Sequence, residues 1–322
     1  MVSKKQVGTD LDNSKALSLA EVKQPQLPQL HGVLVLNKPK GFSSNHCLMQ
    51  IKRLGQKKIG HGGTLDPMAE GVLLVLLGQA TKLSSYLLKE GSKVYLGTLR
   101  LGESTDTWDC QGQVVSQGDW SGLSKDQVKE EIANWVKLKS QAVPPFSAAK
   151  LDGQPLYKLA RKGTMIERSK DIEIAKVEVL DLELPSVSFR VTCSSGTYIR
   201  SLAHSLGMRL GCGAVLTGLT REFSYPFGLD VSCTLEEIFA EPGTLVRCLR
   251  PIREALPNWP ALEVPDDFVA LVKSGQNIPC TCLGREGDKA SQAILMHRDW
   301  ELAIVSKVLE RQEWKVSRGL WN

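Results

Sequence analysis

The chain has 322 residues, 42% hydrophobic and 23% charged, which is room for one large domain with a small appendage and an ordinary composition for a globular protein. The net charge of +5 is modest, yet from His31 to Arg100 ten Lys or Arg face three acids, a local balance of +7 that suits a polyanion. The first thirty residues lack an apolar signal core and no apolar run approaches membrane-spanning length. The eight cysteines have no metal-ligand spacing, so a cytoplasmic chain with reduced thiols is expected.

Met1 to Leu30 is polar and aperiodic, a disordered tail by composition. Gly32 to Asn37 reads as a strand ending in the basic turn Lys38-Pro39-Lys40-Gly41. Ser44 suits the N-cap of a helix carrying Cys47, Leu48, Ile51 and Leu54 and closed by Gly55. Gly60 to Gly71 follows, with four glycines in twelve positions and Asp66 biased away from helix by Pro67. A single carboxylate is thus presented from a stiff loop. Val72 to Leu77 is an apolar run of buried-strand length that pins this loop to a core.

Thr81 to Leu88 reads as a helix, and Lys93 to Leu101 as a strand with Tyr95, Gly97 and Leu99 on one face. Ser124 and Gln127 form a capping box. Gln141 to Gly163, broken by Pro144-Pro145, Asp152-Gly153 and Pro155, reads as a mobile basic loop with a short helix and carries Lys150, Lys158, Arg161 and Lys162. Strand-like alternation covers Asp171 to Leu184 and Val187 to Cys193. A turn at Ser194-Ser195-Gly196 then opens a helix with the stripe Ile199, Leu202, Ala203, Leu206 and Leu210, ended by Gly207 and Gly211. Arg200 flanks that stripe in the first turn, about 100° round from Ile199. Val215 to Phe223 is strand-like and Thr234 with Glu237 forms a second capping box. Beyond Pro265 a short helix and three or four strands around Ile278, Ile294, Ile304 and Val316 make a β-rich appendage.

The residue types exclude several chemistries. A second acid near Asp66, a serine elbow, a P-loop and a dinucleotide fingerprint are all missing, save for Glu70 as a neighbouring carboxylate. A lone carboxylate can still act as nucleophile or proton acceptor if an arginine keeps it charged and placed, and Arg200 is the candidate.

Gly60-His61-Gly62-Gly63-Thr64-Leu65-Asp66-Pro67, the earlier Asn37-Lys38-Pro39-Lys40-Gly41 and Gly196-Thr197-Tyr198-Ile199-Arg200 together resemble the TruB family of tRNA pseudouridine synthases. Lys93-Val94-Tyr95, Val143-Pro144-Pro145 with Ser147 to Lys150, and Leu219-Thr220-Arg221 match in the family's order, so the resemblance runs from Gly32 to about Asp230. It implies that Asp66 attacks the target nucleotide, that Tyr95 stacks on the flipped uracil and assists proton removal, and that Tyr198, Arg200 and Leu219 complete the pocket. It makes His61 the residue that fills the gap left by the extruded base, and 141–163 an RNA clamp. Gly62 stands where many members have threonine, and Arg221-Glu222 replaces a double arginine, a change expected to bear on RNA affinity.

The expected architecture is α+β: a mixed, largely antiparallel sheet with flanking helices and a central cleft in 31–250, then a linker and small PUA-like β-rich domain in 251–322. The implied substrate is uridine 55 in the tRNA T-loop. A monomer is expected, with no metal, cofactor, membrane or obligatory protein partner. The rival readings are a guide-RNA-dependent synthase of the same superfamily and a non-catalytic tRNA chaperone.

Overall fold

The computed structural model describes residues 26–88, 91–283 and 289–321. Residues 1–25 of the expected tail lie outside the described residues. Residues 26–30 are fastened to the domain: Leu27 N–H donates to Leu54 O at 2.9 Å, and the fully buried Gln56 side chain accepts from Leu30 N–H at 2.8 Å and donates to Pro28 O at 2.9 Å.

The elements that position the site are, in order, β1 (Gly32–Lys38), α1 (Ser44–Lys52), β2 (Ile59–His61), β3 (Glu70–Leu77), β4 (Ser92–Leu101), α2 (Lys125–Ala133), β5 (Ser140–Ala142), α3 (Leu156–Ala160), β6 (Ser169–Asp171), β7 (Ile174–Glu183), β8 (Ser186–Ser194), α4 (Ile199–Leu210), β9 (Ala214–Ser224), β10 (Phe227–Gly228) and β11 (Leu249–Arg250). The main sheet runs β7-β8-β4-β9-β3-β1-β11, with β2 added to β3 and β10 to β9. Every pairing is antiparallel except β9 with β3, where Thr220 faces Glu70 and Arg221 faces Gly71. That parallel seam needs close backbone approach: Gly71 has φ +99°, and a Cβ there would sit 2.4 Å from Arg221 O. The mixed, largely antiparallel α+β architecture is therefore as expected.

The period-2 patterns hold. Tyr95, Gly97, Leu99 and Leu101 of β4 and Val187, Phe189, Val191 and Cys193 of β8 form one buried face, on which α2, the Trp135 turn and α4 pack. Both capping boxes are present, at Ser124/Gln127 and Thr234/Glu237. Other expectations shift. Ser43, not Ser44, caps α1, accepting from His46 N–H; Ser44 is buried and engaged elsewhere. The expected helix at 81–88 is a 3-10 turn, Gly78–Leu83, running into Ser84–Leu87. Gly207 does not end α4, which continues to Leu210 and stops at Gly211 with φ +77°. Gly207 is small for a packing reason: a Cβ would fall 2.0 Å from Ala214 N at the start of β9.

The chain continues into β12 (Ala261–Glu263), α5 (Asp266–Lys273), β13 (Ile278–Pro279), β14 (Gln292–His297), β15 (Trp300–Val308) and β16 (Glu313–Gly319), a five-stranded sheet ordered β12-β14-β15-β16-β13 around its own core of Leu262, Val272, Leu295, Val305 and Trp314. Among the described residues no helix is long and apolar enough to cross a membrane.

Helix propensity alone makes Gly207→Ala stabilising by about 1 kcal/mol. The contact with Ala214 reverses the sign, and the substitution should lower unfolding free energy by roughly 1–3 kcal/mol, read from urea midpoints at constant slope. An unchanged or raised midpoint would show that the α4–β9 contact yields freely.

Candidate active site

Asp66 lies in the loop from β2 to β3, and three fastenings give that loop its shape. The Ser44 hydroxyl donates to Leu65 O at 3.0 Å and accepts from Leu65 N–H at 2.8 Å. Gly41 N–H donates to Pro67 O at 2.8 Å. Arg221, 1% exposed, donates to Val72 O at 2.6 Å, Gly63 O at 3.2 Å and Thr64 O at 3.4 Å. Beneath them Lys38 is fully buried, and its ammonium donates to Phe42 O at 2.6 Å and Pro39 O at 2.9 Å. Of the basic turn's two lysines, Lys38 is therefore an internal brace while Lys40 stays exposed. Burial pushes the Lys38 ammonium down to about 8, against the pull of Cys47, Asp66 and Glu70.

Arg200 meets Asp66 from the first turn of α4. Its Nε donates to Asp66 Oδ2 at 2.8 Å and its Nη2 to Oδ1 at 3.1 Å, a bidentate fork. The remaining donors reach Thr107 O at 2.9 Å and Phe146 O at 3.1 Å, and Asp109 Oδ2 lies 3.7 Å from Nη1. The guanidinium is 3% exposed and the Asp66 side chain 32% exposed, so one partner is locked inside while the other faces a cavity.

That cavity, about 380 Å³, is lined by Asp66, Tyr95, Tyr198 and Leu219 together with Lys93, Lys170 and Arg221. Burial raises the phenols of Tyr95 and Tyr198 above their ordinary value. His61 is not among the lining residues. It ends β2, its Nδ1 accepts from Gly63 N–H at 3.4 Å, and burial, then Arg221, lowers its imidazole. Lys150, Lys158, Arg161 and Lys162 are all exposed, carried by a hairpin at Lys150–Leu151 and Gln154–Pro155 and by α3, which buries Leu156 and Ala160. A larger cavity of about 750 Å³, beside Trp108 and His204, contains none of the predicted site residues.

A family described as "TruB family pseudouridylate synthase (N terminal domain)" matches residues 52–199. Proteins called "tRNA pseudouridine synthase B" from Nitratidesulfovibrio vulgaris (strain Miyazaki F) and Oleidesulfovibrio alaskensis are each 51% identical to this chain, over 91% and 92% of it and 98% of each relative. This chain belongs to the TruB family. Among solved structures, one titled "Crystal Structure of a Cbf5-Nop10-Gar1 Complex" is 27% identical with a TM-score of 0.67, covering 90% of this chain and 85% of the other.

The TruB motifs point to Asp66 and Arg200, but sequence reasoning missed what surrounds them. Asp109 is buried, its Oδ1 accepts from Thr107 Oγ1 at 2.8 Å and Gln111 N–H at 3.0 Å, and it supplies Arg200 with a second carboxylate. No local pattern marks it. Arg221 was grouped with Glu222 as a matter of RNA affinity. It is instead buried under the loop, whereas Glu222 accepts two hydrogen bonds from Arg190, at 2.7 and 3.1 Å.

Because the folded state holds Lys38 at about 8 while an unfolded lysine titrates near 10.4, the unfolded chain binds more protons between those values. The Lys38 penalty is complete below about 8 and is relieved as pH rises toward 10.4, so its contribution increases stability with pH in that window. Lys38→Met should flatten that rise in denaturation measured from pH 7.5 to 10.5. An identical slope in both proteins would contradict the buried charge.

Proposed function

We propose that this protein isomerises uridine to pseudouridine at position 55 in the T-loop of tRNA, with Asp66 acting on a flipped-out base. The observation that carries the reading is the bidentate Asp66–Arg200 pair, whose carboxylate alone faces the cavity. The 51% identical relatives called "tRNA pseudouridine synthase B" support the substrate.

The geometry suits each step. Extruding the target base costs a few kcal/mol of stacking, which an aromatic platform and surrounding positive charge offset. Tyr95 supplies the platform, with Tyr198 and Leu219 closing the cavity. Both Asp66 oxygens accept from Arg200, which holds the carboxylate in one orientation at the edge of the cavity that would receive the nucleoside. The N1–C1′ bond breaks, the base turns, C5 joins C1′, the proton on C5 leaves with help from Tyr95, and N1 takes up a proton, so the product is an isomer of the substrate. No electrons enter or leave, so the reaction itself calls for no metal or cofactor. His61 occupies the gap left in the RNA loop, and Lys150, Lys158, Arg161 and Lys162 hold phosphates. In this reading the chain works in the cytoplasm as a monomer, without guide RNA or protein partner, and 31–250 with 251–322 divide into catalytic and appended β-rich domains.

Asp66→Asn retains shape but removes charge, so single-turnover conversion of unmodified tRNA, with no guide added, should fall at least about a thousandfold while affinity and thermal unfolding stay near wild type. Arg200→Lys keeps charge but loses the fork and should slow turnover by roughly 10–100-fold, with a smaller effect on binding. Near-normal conversion by Asp66→Asn would refute the assignment, and unfolding would mark Asp66 as structural. Binding of tRNA without conversion by the wild-type chain would favour the chaperone reading.

The four clamp cations give a separate test. Replacing all four by alanine should weaken every tRNA alike and reduce the slope of log affinity against log salt by about 0.7 to 0.9 per lost phosphate contact. An unchanged slope would remove the clamp from the RNA interface.

A further inference from the structure

The lining of the Asp66 cavity carries charge that the proposed chemistry does not use. Lys93 sits on β4 two residues before Tyr95, hence on the same face, and is only 5% exposed. Among the described residues its ammonium makes one hydrogen bond, to the neutral Ser195 hydroxyl at 2.8 Å. Lys170 comes from β6 and lays its ammonium over Gly196, where a Cβ would lie 1.7 Å from Nζ and where φ is +82°. Gly63 makes the matching space on the other side, its missing Cβ 3.4 Å from Lys93 Nζ.

Among the described residues, neither lysine has a carboxylate within ion-pair distance, and neither does Arg221. Arg221 is committed to loop carbonyls and Asp66 is matched by Arg200, so the two ammonium groups, Lys93 buried and Lys170 exposed, line the cavity without a carboxylate partner. A buried ammonium with one neutral partner is costly, and a packed aliphatic side chain would be more stable there. Burial and then Arg221 push the Lys93 ammonium down to about 8, the state of a cation lacking its anion.

We propose that Lys93 and Lys170, with the Ser195 hydroxyl, form an anion subsite that holds a phosphodiester adjoining the flipped nucleoside and so positions its ribose over Asp66. The proposal rests on the RNA-modifying reading above. Within a nucleotide the uracil and ribose are neutral, and the phosphodiester is the one group whose charge matches this wall. Lys93 is then a positioning residue, acting through the phosphate on the placement of C1′.

The test uses the full-length protein and a T-arm stem-loop RNA in which the linkage 5′ or 3′ to the target uridine is replaced by a neutral methylphosphonate. One of the two replacements should lower kcat/KM for the wild type by about 10–100-fold, and Lys93→Met should cause a similar loss on the native RNA. Combining them should cost no more than either alone, and Lys93→Met should reduce the salt slope of binding by about 0.7. Ser195→Ala, which keeps the charge but frees it, should show a smaller loss with the same lack of additivity. Should Lys93→Met not fold, the neutral linkages on wild type and Ser195→Ala still decide. Neutral linkages that leave wild-type conversion unchanged, or losses that multiply in combination, overturn the subsite alone. A wild-type chain that fails to convert the native RNA overturns both the subsite and the reading it rests on.

Discussion

A guanidinium taken out of water is tolerated only where its donors find acceptors, and the fold around Arg200 is arranged to meet that condition. Asp66 comes from the β2–β3 loop, Thr107 and Asp109 from the segment after β4, Phe146 from the stretch after β5, and Arg200 itself from α4. Four segments distant in sequence must converge before the charge is satisfied. A buried ion pair contributes little net stability compared with apolar packing, because desolvation offsets much of the attraction. Its value lies in geometry: with Arg200 anchored from behind by two carbonyls and Asp109, the fork cannot drift, and the Asp66 carboxylate is held in one orientation.

The same logic sorts the cations around the site. Lys38, Lys93, Arg200 and Arg221 are buried, and three of them spend their donors on backbone carbonyls that shape the loops around Asp66. Lys150, Lys158, Arg161 and Lys162 are exposed and make no comparable structural contacts beyond Arg161 lying over the Tyr157 ring at 5.5 Å. Net charge therefore overstates the surface available to a polyanion. Of the ten cations counted between His31 and Arg100, Lys38 and Lys93 are interior, while Lys40, Lys52, Arg53, Lys57, Lys58 and Arg100 stay exposed and the 150–162 stretch adds four more.

What was legible in the sequence was local. Alternation in β4 and β8 revealed their buried faces because side chains on a strand repeat every two residues, and the capping boxes at Ser124 and Thr234 are complete within four positions. The ordered motifs were enough to bring Asp66, Tyr95, Tyr198, Arg200 and Leu219 into one site. Features set by distant contact were not legible. Gly207 read as a helix stop, although its smallness serves the passage of β9, and Ser44 read as a cap, although its hydroxyl holds Leu65. Asp109 carries no pattern at all, since its meaning comes from a helix some ninety residues further on.

The run Val72 to Leu77 has a further reason for being apolar throughout. In β1 and β3, Leu34, Leu36, Leu73, Val75 and Leu77 face the core shared with α1 and α4, whereas Val33, Val35, Val72, Leu74 and Leu76 face a second core that includes Ile294, Met296 and Ile304 of the C-terminal sheet and Leu320 just beyond it. A strand covered on both faces loses the polar alternation of a half-exposed one, which is why its pattern is continuous. Lys82 adds a polar tie by donating to Gly319 O. The β-rich sheet read as an appendage therefore packs against the back of the strand that carries the Asp66 loop on its leading end. Support from both sides leaves β3 no face on which to relax, and the Asp66 carboxylate, in the loop that leads directly into that strand, inherits the rigidity.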